Sequence, residues 1–214
     1  MDTISLNNAL PNVFLQRTDI KSEIWRQQVS FEKGKTYLIE AQSGTGKSSL
    51  CSFIIGYRHD FDGCILFDGK DSRKLKAADW TGLRQKHISM LFQELRLFPE
   101  LTAIENVEIK NSLAAHKTRK EIELWFEALG IADKIEAPVR LMSFGQQQRV
   151  AMIRALVQPF DFLLADEPIS HLDDENSKAM ADIMVAEAQK QEAGIIITSI
   201  GKHMALPYDK TYSL

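Results

Sequence analysis

Five short apolar runs recur along the chain with helix-like segments between them: "TYLIEA" (36–41), "CILFDG" (64–69), "ISMLFQ" (88–93), "DFLLAD" (161–166) and "GIIITSI" (194–200). Each is apolar throughout instead of alternating, which predicts strands covered on both faces. The intervening segments carry helical stripes. In "RKEIELWFEALG" (119–130), Ile122, Trp125, Phe126 and Leu129 share one face and Gly130 suits the stop. In "ENSKAMADIMVAEAQKQ" (175–191), Met180, Ile183, Met184 and Ala188 do the same. Strands alternating with helices predict an α/β fold built on a mainly parallel sheet. The stretch between "ISMLFQ" and "DFLLAD" has helical signals and no strong strand, so it reads as a helical insertion of roughly 65 residues.

The 214 residues are enough for one sizeable core. A net charge of −3 gives no electrostatic reason for general nucleic-acid binding. Cys51 and Cys64 lie in apolar surroundings without metal-ligand spacing, which predicts buried free thiols in a reducing compartment. The stretch "MDTISLNNAL" lacks the basic-then-apolar pattern of a signal peptide. No apolar run approaches the roughly 18 residues of a membrane span, so any link to a membrane is expected to pass through a partner.

The first run leads into "EAQSGTGKSS" (40–49), followed by the helix-like "KSSLCSFII" with Leu50, Phe53 and Ile54 on one side. Strand, glycine-rich loop and helix form the context of a phosphate-binding loop. Gly44 and Gly46 let the backbone curl so that amides from Ser43 to Ser49, Thr45 included, point at phosphate oxygens. Lys47 is then the residue for the β- and γ-phosphates, and the Ser48 hydroxyl a ligand for Mg²⁺. Ala41 stands at the motif's first position, which is harmless if its φ stays below zero. In "DFLLADEP" (161–168) a strand ends in two acids. Its carboxyl end is where open α/β sheets bind ligands. Asp166 is placed to hold Mg²⁺, and Glu167 to orient or deprotonate a water.

Between these sites lies "LMSFGQQQRVAMIRALV" (141–157), which resembles the signature of ATP-binding-cassette (ABC) ATPases. Ser143, Gly145, Gln146 and Arg149 match it. "LFQELRLFPELTAIENV" (91–107) resembles the family's glutamine loop, and "ISHLDDENS" (169–177) its D-loop, with Leu172 and Asp173 kept. The motifs fall in the family's order, and the resemblance spans about residues 10 to 214. It implies a P-loop NTPase fold: a mainly parallel core sheet, N-terminal antiparallel strands and an inserted α-helical subdomain. A single domain over 1–214 is expected, with a catalytic core of about 1–92 and 159–214 and a helical subdomain of about 94–158. The resemblance also implies ATP and Mg²⁺ as ligands, and Gln93 as sensor of the metal and of the attacking water. It implies a head-to-tail dimer, with the same or another cassette, in which ATP lies between one copy's loop and the other's signature. A membrane permease is the implied partner, engaged from the cytoplasmic face. Leu97, Phe98 and Leu101 suit either that docking or packing within the helical subdomain. The adenine would stack on Phe14 or Arg17. "TAIENV" and "GQQQRVAMIRAL" are similar to the lipoprotein-releasing, macrolide-exporting and cell-division cassettes.

Four positions depart from the pattern. Phe144 replaces the first signature glycine, Ala41 the first loop glycine, and His171 an asparagine of the exporter group. Ser199 stands where the family has its switch histidine, and His203 lies four residues on. A serine hydroxyl can bond phosphate but reaches less far and carries no charge. The expectation is an ATPase subunit with slow turnover; the alternative is a nucleotide-gated clamp that pairs but hardly hydrolyses.

Overall fold

The computed structural model describes all residues, 1–214. Nine strands form two sheets. The first is antiparallel. It contains β1 (Thr3–Pro11), β2 (Gln28–Glu32), β4 (Phe61–Phe67) and β5 (Lys70–Asp71) in the order β2-β1-β4-β5. The second is wholly parallel. It contains β3 (Thr36–Glu40), β6 (Ile88–Leu91), β7 (Phe162–Asp166), β8 (Gly194–Ser199) and β9 (Lys210–Ser213) in the order β6-β7-β8-β3-β9. Six α-helices accompany them: α1 (Lys47–Ile54), α2 (Ala77–Lys86), α3 (Ala103–Asn111), α4 (Arg119–Ala128), α5 (Phe144–Leu156) and α6 (Asp174–Lys190).

The unbroken apolar runs follow from the parallel sheet lying between two cores. Leu38, Leu163, Ala165, Ile195 and Ile197 face a core shared with α3–α6. Their neighbours Ile39, Phe162, Leu164 and Ile196 face a second core, shared with α1 and the antiparallel sheet. Successive strand residues point to opposite faces, so both sets must be apolar. The run 64–69 is the exception: it belongs to the antiparallel sheet. There Ile65 and Phe67 point inward while Cys64 is only half-buried, which corrects the expectation of two buried thiols. An antiparallel sheet covered on one face leaves alternate side chains toward solvent.

The helical stripes pack as the sequence indicates. Ile122, Phe126 and Leu129 are buried in the first core and Trp125 rests against its edge. Met180, Met184 and Ala188 are buried and Ile183 sits alongside. Helices α3, α4 and α5 each begin with a capping box, Thr102–Glu105, Thr118–Glu121 and Ser143–Gln146. Such a box satisfies two otherwise orphaned amides at each start. Fully buried Asn106 shapes the segment before α3: its Oδ1 accepts from Phe98 N at 2.7 Å, and its Nδ2 donates to Thr102 O at 2.9 Å. The loop before α4 is tied to α6 by a dry ion pair, Lys117 Nζ to Glu187 Oε1 at 2.7 Å. No helix is long and apolar enough to cross a membrane.

Candidate nucleotide site

Parallel strands deliver their carboxyl ends to one edge. With β6, β7, β8 and β3 side by side, that edge carries Gln93, Asp166, Glu167 and the loop 41–46. A cleft of about 390 Å³ opens there. Val13, Phe14, Ser43, Gly44, Gly46, Lys47, Ser48, Ser49, Gln93, Glu167 and Ile200 line it.

The loop's shape has identifiable causes. Gly44 and Gly46 have φ of 81° and 102°, in the left-handed region that glycine adopts without strain. A Cβ on Gly46 would also lie 3.2 Å from both Phe14 Cε2 and Trp25 Cζ2. Ala41 stays out of the left-handed region, so alanine costs nothing there. The Thr45 hydroxyl folds back onto Gln42 O at 2.9 Å, and the Trp25 indole N–H donates to Thr45 O at 2.9 Å. Gly46 caps α1, whose first residue is Lys47, so free amides and the positive helix end face the cleft. Lys47 is buried; its ammonium donates to Gln42 O at 3.2 Å and lies 3.5 Å from Glu167 Oε1. Ser48 is exposed toward the cleft. The Ser49 hydroxyl accepts from Arg58 at 3.0 Å.

Asp166 ends β7, is buried, and accepts a hydrogen bond from Thr198 of β8. Cys51 lies near it. Burial first, then the Asp166 charge, pushes that thiol's pKa up and keeps it protonated and inert. Glu167 has φ of 51°, a conformation unusual for glutamate. Its amide donates to Thr198 O at 3.1 Å. Gln148, buried on α5, donates to Pro168 O at 2.6 Å and fixes the turn from the other side.

Ser199 does not line the cleft. It is buried, and its hydroxyl donates to Lys202 O at 2.5 Å. The cleft is lined at that point by Ile200. His203 is also outside the lining, and its Nε2 lies 2.8 Å from Glu40 Oε1. Phe14 lines the cleft, whereas Arg17 lies over the Phe14 ring at 5.2 Å and lines a neighbouring cavity.

The signature residues stand apart. Ser143 caps α5 by accepting from Gln146 N at 3.3 Å, and Gln146 Oε1 accepts from Ser143 N at 2.9 Å. None of Ser143, Gly145 or Gln146 lines the cleft. The start of α5 packs instead on the loop after β7. A Cβ on Gly145 would lie 3.2 Å from Leu172 Cδ2, and the Phe144 ring meets the His171 ring at 4.4 Å between centroids. Asp173 caps α6 through Asn176 N at 2.8 Å, and Asn176 Oδ1 accepts from Arg149 at 2.6 Å. The two Asn176 bonds, backbone amide first, hold the Asp173 carboxyl below its ordinary pKa.

Three positioning residues escaped the sequence reading: Trp25, Gln148 and Lys202. Gln148 had a usable signal. It falls on the buried α5 stripe with Met152 and Ala155, where a lone amide needs a partner. Trp25 and Lys202 act across long sequence separations that no local pattern reveals.

A glycine-rich loop at a helix start, two acids on the next parallel strand but one and a glutamine at the sheet edge define a P-loop nucleotide-hydrolase cassette. The ABC transporter family model matches residues 26–170, and the chain belongs to that family. It is 34% identical over 182 residues to the uncharacterized ABC transporter ATP-binding protein YclH of Bacillus subtilis (strain 168), covering 83% of this chain and 79% of that one. It is 31% identical to the lipoprotein-releasing system ATP-binding protein LolD of Novosphingobium aromaticivorans, covering 85% of this chain and 82% of that one. It is 30% identical to the macrolide export ATP-binding/permease protein MacB of Shewanella sp. (strain ANA-3), covering 85% of this chain but only 28% of that longer one. Among solved structures, the ATP-binding cassette MJ0796, a dimer bound to ADP and Pi, superposes with a TM-score of 0.74 at 24% identity, covering 92% of this chain and 87% of that one. The resemblance to the lipoprotein-releasing and macrolide-exporting cassettes is therefore borne out. So is the fold class: an α/β cassette ATPase with a parallel core sheet and antiparallel strands.

Proposed function

We propose that this chain binds and hydrolyses ATP within a pair of cassettes that drives a membrane permease from its cytoplasmic face. The observation that carries the reading is the split site. The cleft holds the phosphate loop, Gln93 and Glu167, while the signature residues face elsewhere. A second copy, or a related cassette, would bring Ser143 and Gly145 to the phosphates of the first. The loop amides and Lys47 would hold the phosphates, and Phe14, the aromatic lining the cleft, would take the base in preference to Arg17. Ser48, Gln93 and Asp166 offer only oxygen donors, which suits Mg²⁺. Few protein ligands are expected for that ion, because it shares its shell with phosphates and water. Bound there, it would neutralise charge on the phosphate oxygens.

Glu167 is the base candidate, aimed into the cleft from the end of β7 and poised 3.5 Å from Lys47. Phe98 and Leu141 are the apolar side chains best placed to meet a permease. Both are exposed, on segments joined by bonds from Val139 N to Leu101 O and Arg140 N to Pro99 O. Leu97 and Leu101 are half-buried and contribute less. In this reading residues of about 94–158, which carry α3, α4 and α5 and no strand, act as a helical unit between Gln93 and β7.

A second reading, the poorly hydrolysing clamp, is favoured by one observation: the Ser199 hydroxyl donates to Lys202 O and so does not offer its proton to a γ-phosphate. Losing one preorganised donor slows turnover by about 10²–10³-fold. Phosphate release separates the two. The wild type is expected to release phosphate from MgATP slowly, and Glu167→Gln to release it at least ~100-fold more slowly while still binding nucleotide. Binding without any release by the wild type would establish the clamp. Lys47→Ala that binds ATP as tightly as wild type would refute the site itself.

A further inference from the structure

The turn after β8 engages its polar groups in an unexpected direction. Ser199 Oγ donates to Lys202 O, Lys202 N donates to Ile200 O at 2.9 Å, and Gly201 takes a φ of 75°. These three features close the turn and bring the Lys202 side chain to the loop after β7. Its ammonium donates to the Leu172 carbonyl at 2.6 Å and lies 3.2 Å from Asp174 Oδ1. Asp174 is almost fully exposed, so the carbonyl bond is the stronger tie. The neighbouring His203 is turned to Glu40, its Nε2 2.8 Å from Oε1, and does not reach this loop.

Leu172 is also the residue on which α5 begins. Its Cδ2 packs against Gly145, and its neighbour His171 stacks edge-on with Phe144. A continuous line of contact therefore runs from the Ser199 turn through Lys202 and Leu172 to the residues beside Ser143. We propose that Lys202 is a positioning residue that fixes the 169–174 loop and, through it, presents the α5 start to the second cassette. Ser199 serves this arrangement as the staple that holds the turn. The inference deepens the paired-site reading and rests on it. It gives the serine at the strand end a role unrelated to phosphate contact.

The test uses the full chain in a Glu167→Gln background, where bound ATP persists. Two constants are measured in MgATP: nucleotide affinity at dilutions where the chain is single, and the pairing constant by sedimentation velocity. Lys202→Met is expected to weaken pairing about tenfold, the loss of one charge-assisted hydrogen bond. Nucleotide affinity of the single chain should stay near the parent value, and its Tm should fall by no more than about 6 °C. Lys202→Arg should restore most of the pairing, Asp174→Asn should fall within about twofold of the parent, and Ser199→Ala should weaken pairing in the same direction as Lys202→Met. A Lys202→Met variant that pairs as well as its parent, or that loses nucleotide affinity in step with pairing, refutes the assignment. A parent that never pairs refutes the paired-site reading and this inference with it, whereas failure confined to the Lys202 series leaves that reading standing.

Discussion

Replacing Lys117 by methionine isolates the dry ion pair that ties the loop before α4 to α6. The pair is 2.7 Å long, and its side chains are only 2% and 5% exposed. Asn111 holds the lysine's backbone from both sides, accepting from Lys117 N at 3.0 Å and donating to Lys117 O at 2.8 Å. The Trp125 ring lies 5.3 Å from the ammonium. The loop therefore has little freedom to swing aside when the charge is removed. Methionine leaves Glu187 in low dielectric with only the Gln191 amide donating, at 2.6 Å, and His116 nearby. Breaking one side of a buried pair costs about 3–5 kcal/mol. For a chain of this size each kcal/mol shifts Tm by about 2–4 °C, so the midpoint should fall by about 6–20 °C. Urea unfolding of Lys117→Met, Glu187→Leu and the double variant gives the coupling. The double variant should be far less damaged than the sum of the singles, because no charge is left stranded.

His116 adds a pH signature. Burial first, then the Lys117 charge, holds its pKa below the ordinary 6.5, so the folded wild type binds fewer protons than the unfolded chain and loses stability as pH falls through that value. Without Lys117 the opposing charge is gone and protonated His116 faces Glu187, so the deficit of Lys117→Met should shrink in acid. A cost below about 1 kcal/mol, the range of exposed pairs, would show that the pair is wet and the reasoning wrong.

Two further perturbations probe local claims. Gly46→Ala forces a non-glycine residue to φ 102° against two aromatic rings, which should cost about 1–3 kcal/mol in unfolding experiments and abolish nucleotide binding in calorimetry. Unaltered binding would refute the close fit beneath the loop. The Glu121 carboxyl is held down to about 2 by the Thr118 amide and hydroxyl, so its stability contribution is present above the ordinary 4.5 and is lost as pH falls toward 2. Glu121→Gln should flatten that acid limb of the Tm profile; an unchanged limb would refute the cap's electrostatic role.

The parallel sheet was legible because a strand between two cores must be apolar on both faces, and four of the five runs are such strands. The fifth, around Cys64, is equally apolar in sequence, yet pairs in the antiparallel sheet; composition alone does not distinguish the two environments. The phosphate loop and the acids were legible because their chemistry is local. The Ser143 cap was too, since a hydroxyl at a helix start has one obvious use. What escaped was set by tertiary neighbours. Whether Ser199 faces phosphate or a turn carbonyl depends on how residues 200–202 close, and Gly201 alone does not announce it. Phe144 and His171 each read as an isolated departure, but they are one contact. That Phe14 lines the cleft and Arg17 does not is likewise a matter of tertiary placement.

The split site can be tested most directly by mixing two disabled chains, Lys47→Ala and Ser143→Arg. The first lacks a working phosphate loop and keeps its signature; the second is the reverse. Each alone should release almost no phosphate. Mixed, they should regain part of the wild-type rate, because one of the two composite sites pairs an intact loop with an intact signature. A mixture that stays as inactive as its components, while the wild type turns over and both variants remain folded, would contradict the claim that two chains complete each other's site.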